Sequence, residues 1–152
     1  MVASTVGRVN RATSESSNRQ IEADIADSVR WHARHPDRID SRLRQLDREW
    51  DIERTLEANA ATLAFTGTVL GALADRRWLA VPVVVTAFLF QHAVQGWCPP
   101  LPLLRRLGLR TSREIETERY ALKALRGDFG PIGPGPNNRD SQASHALQAA
   151  RL

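Results

Sequence analysis

The stretch ANAATLAFTGTVLGALADRRWLAVPVVVTAFLFQHAVQGWCPPLPLL, residues 58–104, decides how this chain is built. Its first seventeen residues, Ala58 to Ala74, carry no charge. Asp75, Arg76 and Arg77 interrupt, and the twenty-seven residues from Trp78 to Leu104 again carry none, His92 being neutral. A helix that crosses a bilayer needs about 20 apolar residues, with a lower limit near 17. Both segments reach that limit, and with Leu56 and Glu57 the first runs roughly 28 Å at 1.5 Å per residue. The second, WLAVPVVVTAFLFQHAV, is strongly apolar; the first is rich in Ala, Thr and Gly and inserts only with help from its neighbour. The short link between them forces antiparallel packing. The expected fold is therefore all-α, a two-helix transmembrane hairpin with helices at about 56–74 and 78–95.

Small residues say how the first helix packs. Ala60, Ala64, Gly67 and Gly71 fall at spacings of four, three and four and so share one face. In lipid such a face lets two backbones approach closely. It receives either the second helix of the same hairpin or a second copy of the chain, and the spacing allows both. Pro82 lies in the first turns of the second helix, where its missing N–H costs little. Trp78 and Trp97 bracket that helix at the two water interfaces, and Arg105 and Arg106 are expected to meet lipid headgroups. Gly96 ends the helix, and Pro99, Pro100 and Pro102 are expected to keep it from resuming.

Arginine placement sets the orientation. Arg38, Arg42, Arg44, Arg48 and Arg54 precede the hairpin; Arg105, Arg106, Arg110, Arg113 and Arg119 follow it; the loop holds Arg76 and Arg77. The positive-inside rule places both termini in the cytoplasm of a bacterial cell, the chain crossing its inner membrane twice. The competing reading, a soluble helical hairpin, fails because the flanks offer too few apolar side chains to cover both segments.

Outside the apolar middle the chain is charged. Net charge is +4, and of the 21 basic residues all but Lys123 are arginine. Residues 1–55 balance ten arginines against ten acids, while residues 105–152 hold nine basic and five acidic residues. A basic chain raises nucleic acid as a partner, but no aromatic residues interleave with the arginines, and none is expected to bind. The start, MVASTVGRVNRATSESSNRQ, has no continuous apolar core of the kind an export signal needs; residues 1–19 are expected to be disordered.

Residues 20–57 read as cytoplasmic helices. Ile21, Ile25 and Val29 suggest one that ends before Pro36. A second, Asp40 to Glu57, carries an apolar stripe at Ile39, Leu43, Leu46 and Trp50. Asp40–Arg44, Arg44–Asp47, Arg48–Asp51 and Arg54–Glu57 are spaced to pair along it. Its continuity with the first span is left open by the sequence. Thr111-Ser112-Arg113-Glu114 has the form of a capping box and opens a helix over 111–127, with Ile115, Leu122 and Leu125 on its apolar side and Gly127 as its stop. The Gly/Pro-rich remainder, 128–152, reads as a disordered tail.

The exit segment GWCPPLPLLRRLGLRT resembles that of the YgaP-type inner-membrane hairpin family, through Gly96, Cys98, Pro99, Leu107, Gly108 and Thr111. The resemblance covers roughly residues 54–112. It implies a hairpin that anchors and dimerises, since members occur alone or fused to rhodanese sulfurtransferase domains. Here no rhodanese domain fits in the flanks and there is no second cysteine, so sulfur transfer does not carry over.

Chemistry is sparse. One cysteine excludes an internal disulfide and any multi-cysteine zinc site. Cys98 is the one candidate nucleophile, but it follows a helix C-terminus, where the dipole opposes a thiolate; Arg105 and Arg106 could offset that only if the chain folds back. His32 and His35 have a spacing that can present two imidazoles to a metal, yet no carboxylate cluster completes a site, and no metal or other cofactor is expected. Asn59, Gln91, His92 and Gln95 lie near the cytoplasmic ends of the spans and are expected to hydrogen-bond across the hairpin. No ionisable group lies at midplane to carry ions. Two functions remain. One is a non-enzymatic membrane anchor or dimerising scaffold whose partners are the bilayer, a second copy and an unidentified cytoplasmic or membrane protein. The other is a thiol-bearing membrane protein in sulfur or redox handling through Cys98.

Overall fold

A computed structural model describes residues 7–129, and every regular element among them is helical. In chain order these are α1 (Arg8–Arg11), α2 (Glu15–Arg34), α3 (Ile39–Leu46), α4 (Ile52–Leu73), α5 (Ala80–Gln95), α6 (Leu101–Arg106) and α7 (Ser112–Arg126), with single 3-10 turns before α3 and α5. The tail expected to be disordered lies, from residue 130 on, outside the described residues, as do residues 1–6. The chain forms two compact units. One comprises residues 7–24 and 49–115, the other 25–48 and 116–129, so α2 and α7 each contribute to both.

In the first unit α4 and α5 pack along each other. Gly67 faces Val81 and Pro82, and a Cβ added there would stand 2.7 Å from the Pro82 ring and 2.8 Å from Val81 Cβ. Gly71 faces Leu79, with 2.5 Å to its Cδ2. As α4 advances from 67 to 71 the contact on the other helix retreats from 82 to 79, so the two run antiparallel. Ala60 and Ala64, on the same face, are half-buried. Gly67 and Gly71 thus meet the neighbouring segment of the same chain, while Ala60 lines the groove between the two helices. The remaining faces are open: Phe65 is 72% exposed, Leu73 83%, Val83 66% and Phe90 72%. Among the described residues, the continuous stretch Arg76–Gln95 is long and apolar enough to cross a membrane. α4 is as long, but Glu53, Arg54, Glu57 and Asn59 occupy its first two turns.

The foot of this pair is a small core of Val9, Ile52, Leu56, Cys98 and Leu101. Asp51 caps α4: its Oδ1 accepts from the Arg54 N–H at 2.7 Å and its Oδ2 from the Ser112 hydroxyl. The Ile52 N–H donates to the Arg110 carbonyl at 2.8 Å. Arg110 grips Glu49 with two bonds, Nε to Oε1 at 2.7 Å and Nη2 to Oε2 at 2.5 Å.

Several expectations are corrected. The described part of 1–19 is largely helical, in α1 and the start of α2, and Val9 has a core to enter: it is 3% exposed, against the bases of α4 and α6. The helix expected over 40–57 is broken. α3 ends at Leu46, and residues 47–51 lead to the Asp51 cap, from which α4 runs unbroken into the apolar segment. Trp50 consequently leaves the stripe of Ile39, Leu43 and Leu46; it is 49% exposed, with the Arg54 guanidinium 4.4 Å above its ring. The prolines do not prevent a helix: α6 begins directly after Pro100, with Pro102 in its first turn, where no intrahelical N–H is needed.

Arg105 does not meet headgroups. It is 1% exposed, and its guanidinium donates from Nη1 to Glu114 Oε2 at 2.7 Å and from Nη2 to Glu114 Oε1 at 2.8 Å. It also reaches the Leu109 carbonyl at 3.1 Å and the Asn18 side chain at 2.9 Å. Arg106 remains exposed. Glu114 also closes the capping box of α7, accepting from the Thr111 N–H at 2.8 Å, while Thr111 Oγ1 accepts from the Glu114 N–H at 3.3 Å. Burial opposes its charge, but the Arg105 and Thr111 hydrogen bonds outweigh burial and hold its carboxyl below the ordinary glutamate value.

In the second unit Ile25, Ile39, Leu43, Leu46 and Leu122 are buried. Several acids expected to pair along one helix have distant partners here. Asp40 takes Arg126 at 2.5 Å, and Asp47 takes Arg119. Gly127 stops α7 at φ +88°, where the Gly127 and Asp128 N–H groups reach back to the Ala124 and Lys123 carbonyls.

Candidate functional site

Two places gather polar side chains, one in each unit. The first is built where α5 ends. Gly96 takes φ +80°, and its N–H reaches back 2.7 Å to the His92 carbonyl. A Cβ there would lie 2.8 Å from the backbone of Arg8, so only glycine lets α1 close over the helix end. Arg8 Nη1 donates to the Ala93 carbonyl at 3.0 Å. The turn brings Cys98 back beneath the α4–α5 pair, into the core around Val9, Ile52, Leu56 and Leu101. Thus α1, which nothing in its short polar sequence marks as part of a site, packs beside Cys98 through Val9.

Above Cys98, Pro99 and Pro100 lies a groove of about 450 Å³ between α4 and α5. Leu63, Val85, Phe88 and Leu89 supply apolar walls; Asn59, His92 and Cys98 also line it. His92 is 5% exposed, and among the described residues neither ring nitrogen has a hydrogen-bond partner. The bond across the two helices expected of His92 is therefore not made by its ring. Neutral imidazole carries one donor and one acceptor, and a buried polar group left unpaired costs about 1–3 kcal/mol. Such a group is uncommon in a folded protein.

Cys98 is 4% exposed, and burial pushes its thiol up from the ordinary cysteine value. The nearest cation in sequence, Arg105, is committed to Glu114. Thiolate chemistry needs the reverse, an exposed thiol beside positive charge. Alkylation of native Cys98 near neutral pH by N-ethylmaleimide should therefore be at least about tenfold slower than in the unfolded chain. Equal rates would show a thiol open to solvent, and a faster native rate an activated one.

The second place is in the other unit. Ser28, His32, Arg42 and Glu118 touch one another. Glu118, fully buried, accepts from Arg42 Nε at 2.8 Å, from Arg42 Nη2 at 3.0 Å and from the Ser28 hydroxyl at 2.5 Å. These are the residue types of a nucleophilic triad, yet the order of the bonds is wrong. The serine hydroxyl donates its hydrogen bond to the carboxylate rather than to the imidazole, and His32 spends Nδ1 on the Ser28 carbonyl at 2.8 Å. That short contact puts the imidazole proton on Nδ1, aimed at the backbone. His35 does the same to the Trp31 carbonyl at 2.8 Å, and its ring stacks on the Trp31 indole at 4.1 Å. His32 meets that indole edge-on at 4.8 Å. The two histidines clasp a tryptophan, and no group of three or more metal-ligating side chains exists among the described residues.

Four of the six positions of the exit motif have backbone or packing roles: Gly96 and Gly108 adopt positive φ, Cys98 fills the core, and Thr111 caps α7. No known protein family, no curated protein and no solved structure matches the chain.

Proposed function

We propose that this protein is a small integral protein of the bacterial inner membrane, a non-enzymatic anchor whose α4 and α5 cross the bilayer as a hairpin with both termini cytoplasmic. The observation that supports it most is the apolar surface left open on both helices, from Phe65 and Leu73 on one to Val83 and Phe90 on the other. Each large apolar side chain left in water forgoes about 1.5–3 kcal/mol relative to burial. In hydrocarbon the same side chains are solvated without cost. The lengths bear on it too: the uncharged part of α4, residues 58–73, spans roughly 24 Å at 1.5 Å per residue, and Arg76–Gln95 is long and apolar enough to cross.

In this reading the charged helices hold the cytoplasmic side, and a cytoplasmic or membrane protein is their partner. A second copy of the chain would dock on the open faces, since the Gly67–Gly71 face holds α5. Membership of the YgaP-type hairpin family belongs to the same proposal. Sulfur handling by Cys98 is the weaker reading, because the thiol is buried in an apolar core.

Membrane vesicles carrying the full-length chain test the anchor. The protein should stay in the pellet after alkaline carbonate. Single cysteines introduced near Arg44 and after Arg113, in a Cys98→Ala background, should be labelled from the cytoplasmic side alone. Release into the carbonate supernatant would end the reading.

A further inference from the structure

We propose that the groove between α4 and α5 binds a neutral, lipid-soluble molecule with an apolar body and one oxygen-bearing head, a carbonyl or a hydroxyl, held by the His92 imidazole. The inference rests on the membrane reading for the source of its ligand, but its geometry stands on the groove itself. The volume, about 450 Å³, is that of a small-molecule site. No lining residue carries a formal charge, so neither a phosphate nor a carboxylate finds a counter-ion there. A metal is no better served: His92 and Cys98 are two donors, and no cluster of three exists among the described residues. What the groove offers is an apolar channel lined at one end by His92; both imidazole nitrogens are unpartnered and covered, so a ligand's head meets them when the ring turns toward the groove. A carbonyl oxygen accepts from its N–H; a hydroxyl pairs with either nitrogen. Sites of this composition use few polar groups to orient an otherwise apolar ligand.

Two lipid-soluble sources share that chemistry, quinones through the carbonyl and long-chain alcohols through the hydroxyl. The probe is a diazirine-bearing long-chain alcohol, irradiated with the full-length chain in phosphatidylcholine nanodiscs, with labelled residues mapped by mass spectrometry. Label should concentrate on groove residues such as Leu63, Phe88 and Leu89 rather than on the open faces at Phe65 and Phe90. Excess decylubiquinone or excess decanol should compete, and which of them does so names the head group. His92→Phe keeps the ring's bulk and removes both nitrogens; it should cut groove labelling roughly tenfold. His92→Gln keeps a donor and an acceptor and should retain most of it. Label spread evenly over both helices, competition by neither compound, or equal labelling of His92→Phe overturns the site. Alkaline carbonate on membrane vesicles carrying the same full-length chain separates the two readings. A retained chain with no groove label leaves the anchor standing and removes the site. A chain that washes off removes the anchor and the bilayer as the source of the ligand.

Discussion

Replacing Arg105 with alanine is expected to destabilise the protein by about 3–5 kcal/mol, the usual cost of stranding one partner of a buried ion pair. The side chain of Arg105 is wholly buried and that of Glu114 is 10% exposed, joined by two bonds. Without the guanidinium, Glu114 keeps its place in the α7 cap but loses the group that offsets its burial. Arg105→Met with Glu114→Gln should recover much of the loss, because removing both charges relieves the desolvation that either alone would suffer. Denaturant unfolding of the two variants in mild detergent measures this. A single mutant within 1 kcal/mol of the parent would mean that the pair is loose.

The same pair predicts acid sensitivity. The folded carboxyl of Glu114 titrates below its unfolded value. Its stabilisation is therefore complete above the unfolded value, near 4.3, and fades as pH falls through the lower folded one. Glu114→Gln should be less stable near neutrality and should lose part of the parent's dependence on pH below about 5. An unchanged acid slope would assign that dependence to other carboxylates.

The second large effect belongs to Gly67. Isoleucine there must enter a space where even a Cβ lies 2.7 Å from the Pro82 ring and 2.8 Å from Val81 Cβ. A proline ring and a branch-point carbon cannot rotate away, so α4 and α5 must separate. Overpacking of this kind costs about 1–3 kcal/mol and sometimes more. Gly67→Ile should lie at or above the top of that range. Gly71→Ile also clashes, but its nearest neighbour is the end of the Leu79 side chain, 2.5 Å away, which can turn. The alanine pair is the sharper comparison: Gly67→Ala should lower the thermal midpoint in detergent more than Gly71→Ala. The reverse order would mean that the backbones approach elsewhere.

The apolar segments, the four small residues on one helix face, the capping box at Thr111 and the stop at Gly127 are all legible in the sequence. Each depends on residues within a few turns of one another, where spacing alone sets the geometry. The ends of the elements were harder. Pro100 and Pro102 read as barriers but open α6, since a proline in the first turn and one in a helix interior differ only in position. The Asp51 cap was hidden because Arg48–Asp51 also fits a pair along a continuous helix. Asp51 is instead taken by Ser112, sixty-one residues on.

What the sequence by itself determined is which stretches are long and free of charge, because a run of uncharged residues is a local property that needs no tertiary partner. What only the tertiary structure decided is which groups end up without water. Arg105 reads as a surface cation until Glu114 and Asn18 close on it, and His92 reads as a partner across two helices until both its nitrogens are left unmatched. Those outcomes turn on contacts across as many as 87 residues, where the chain's path, not its local pattern, brings the groups together.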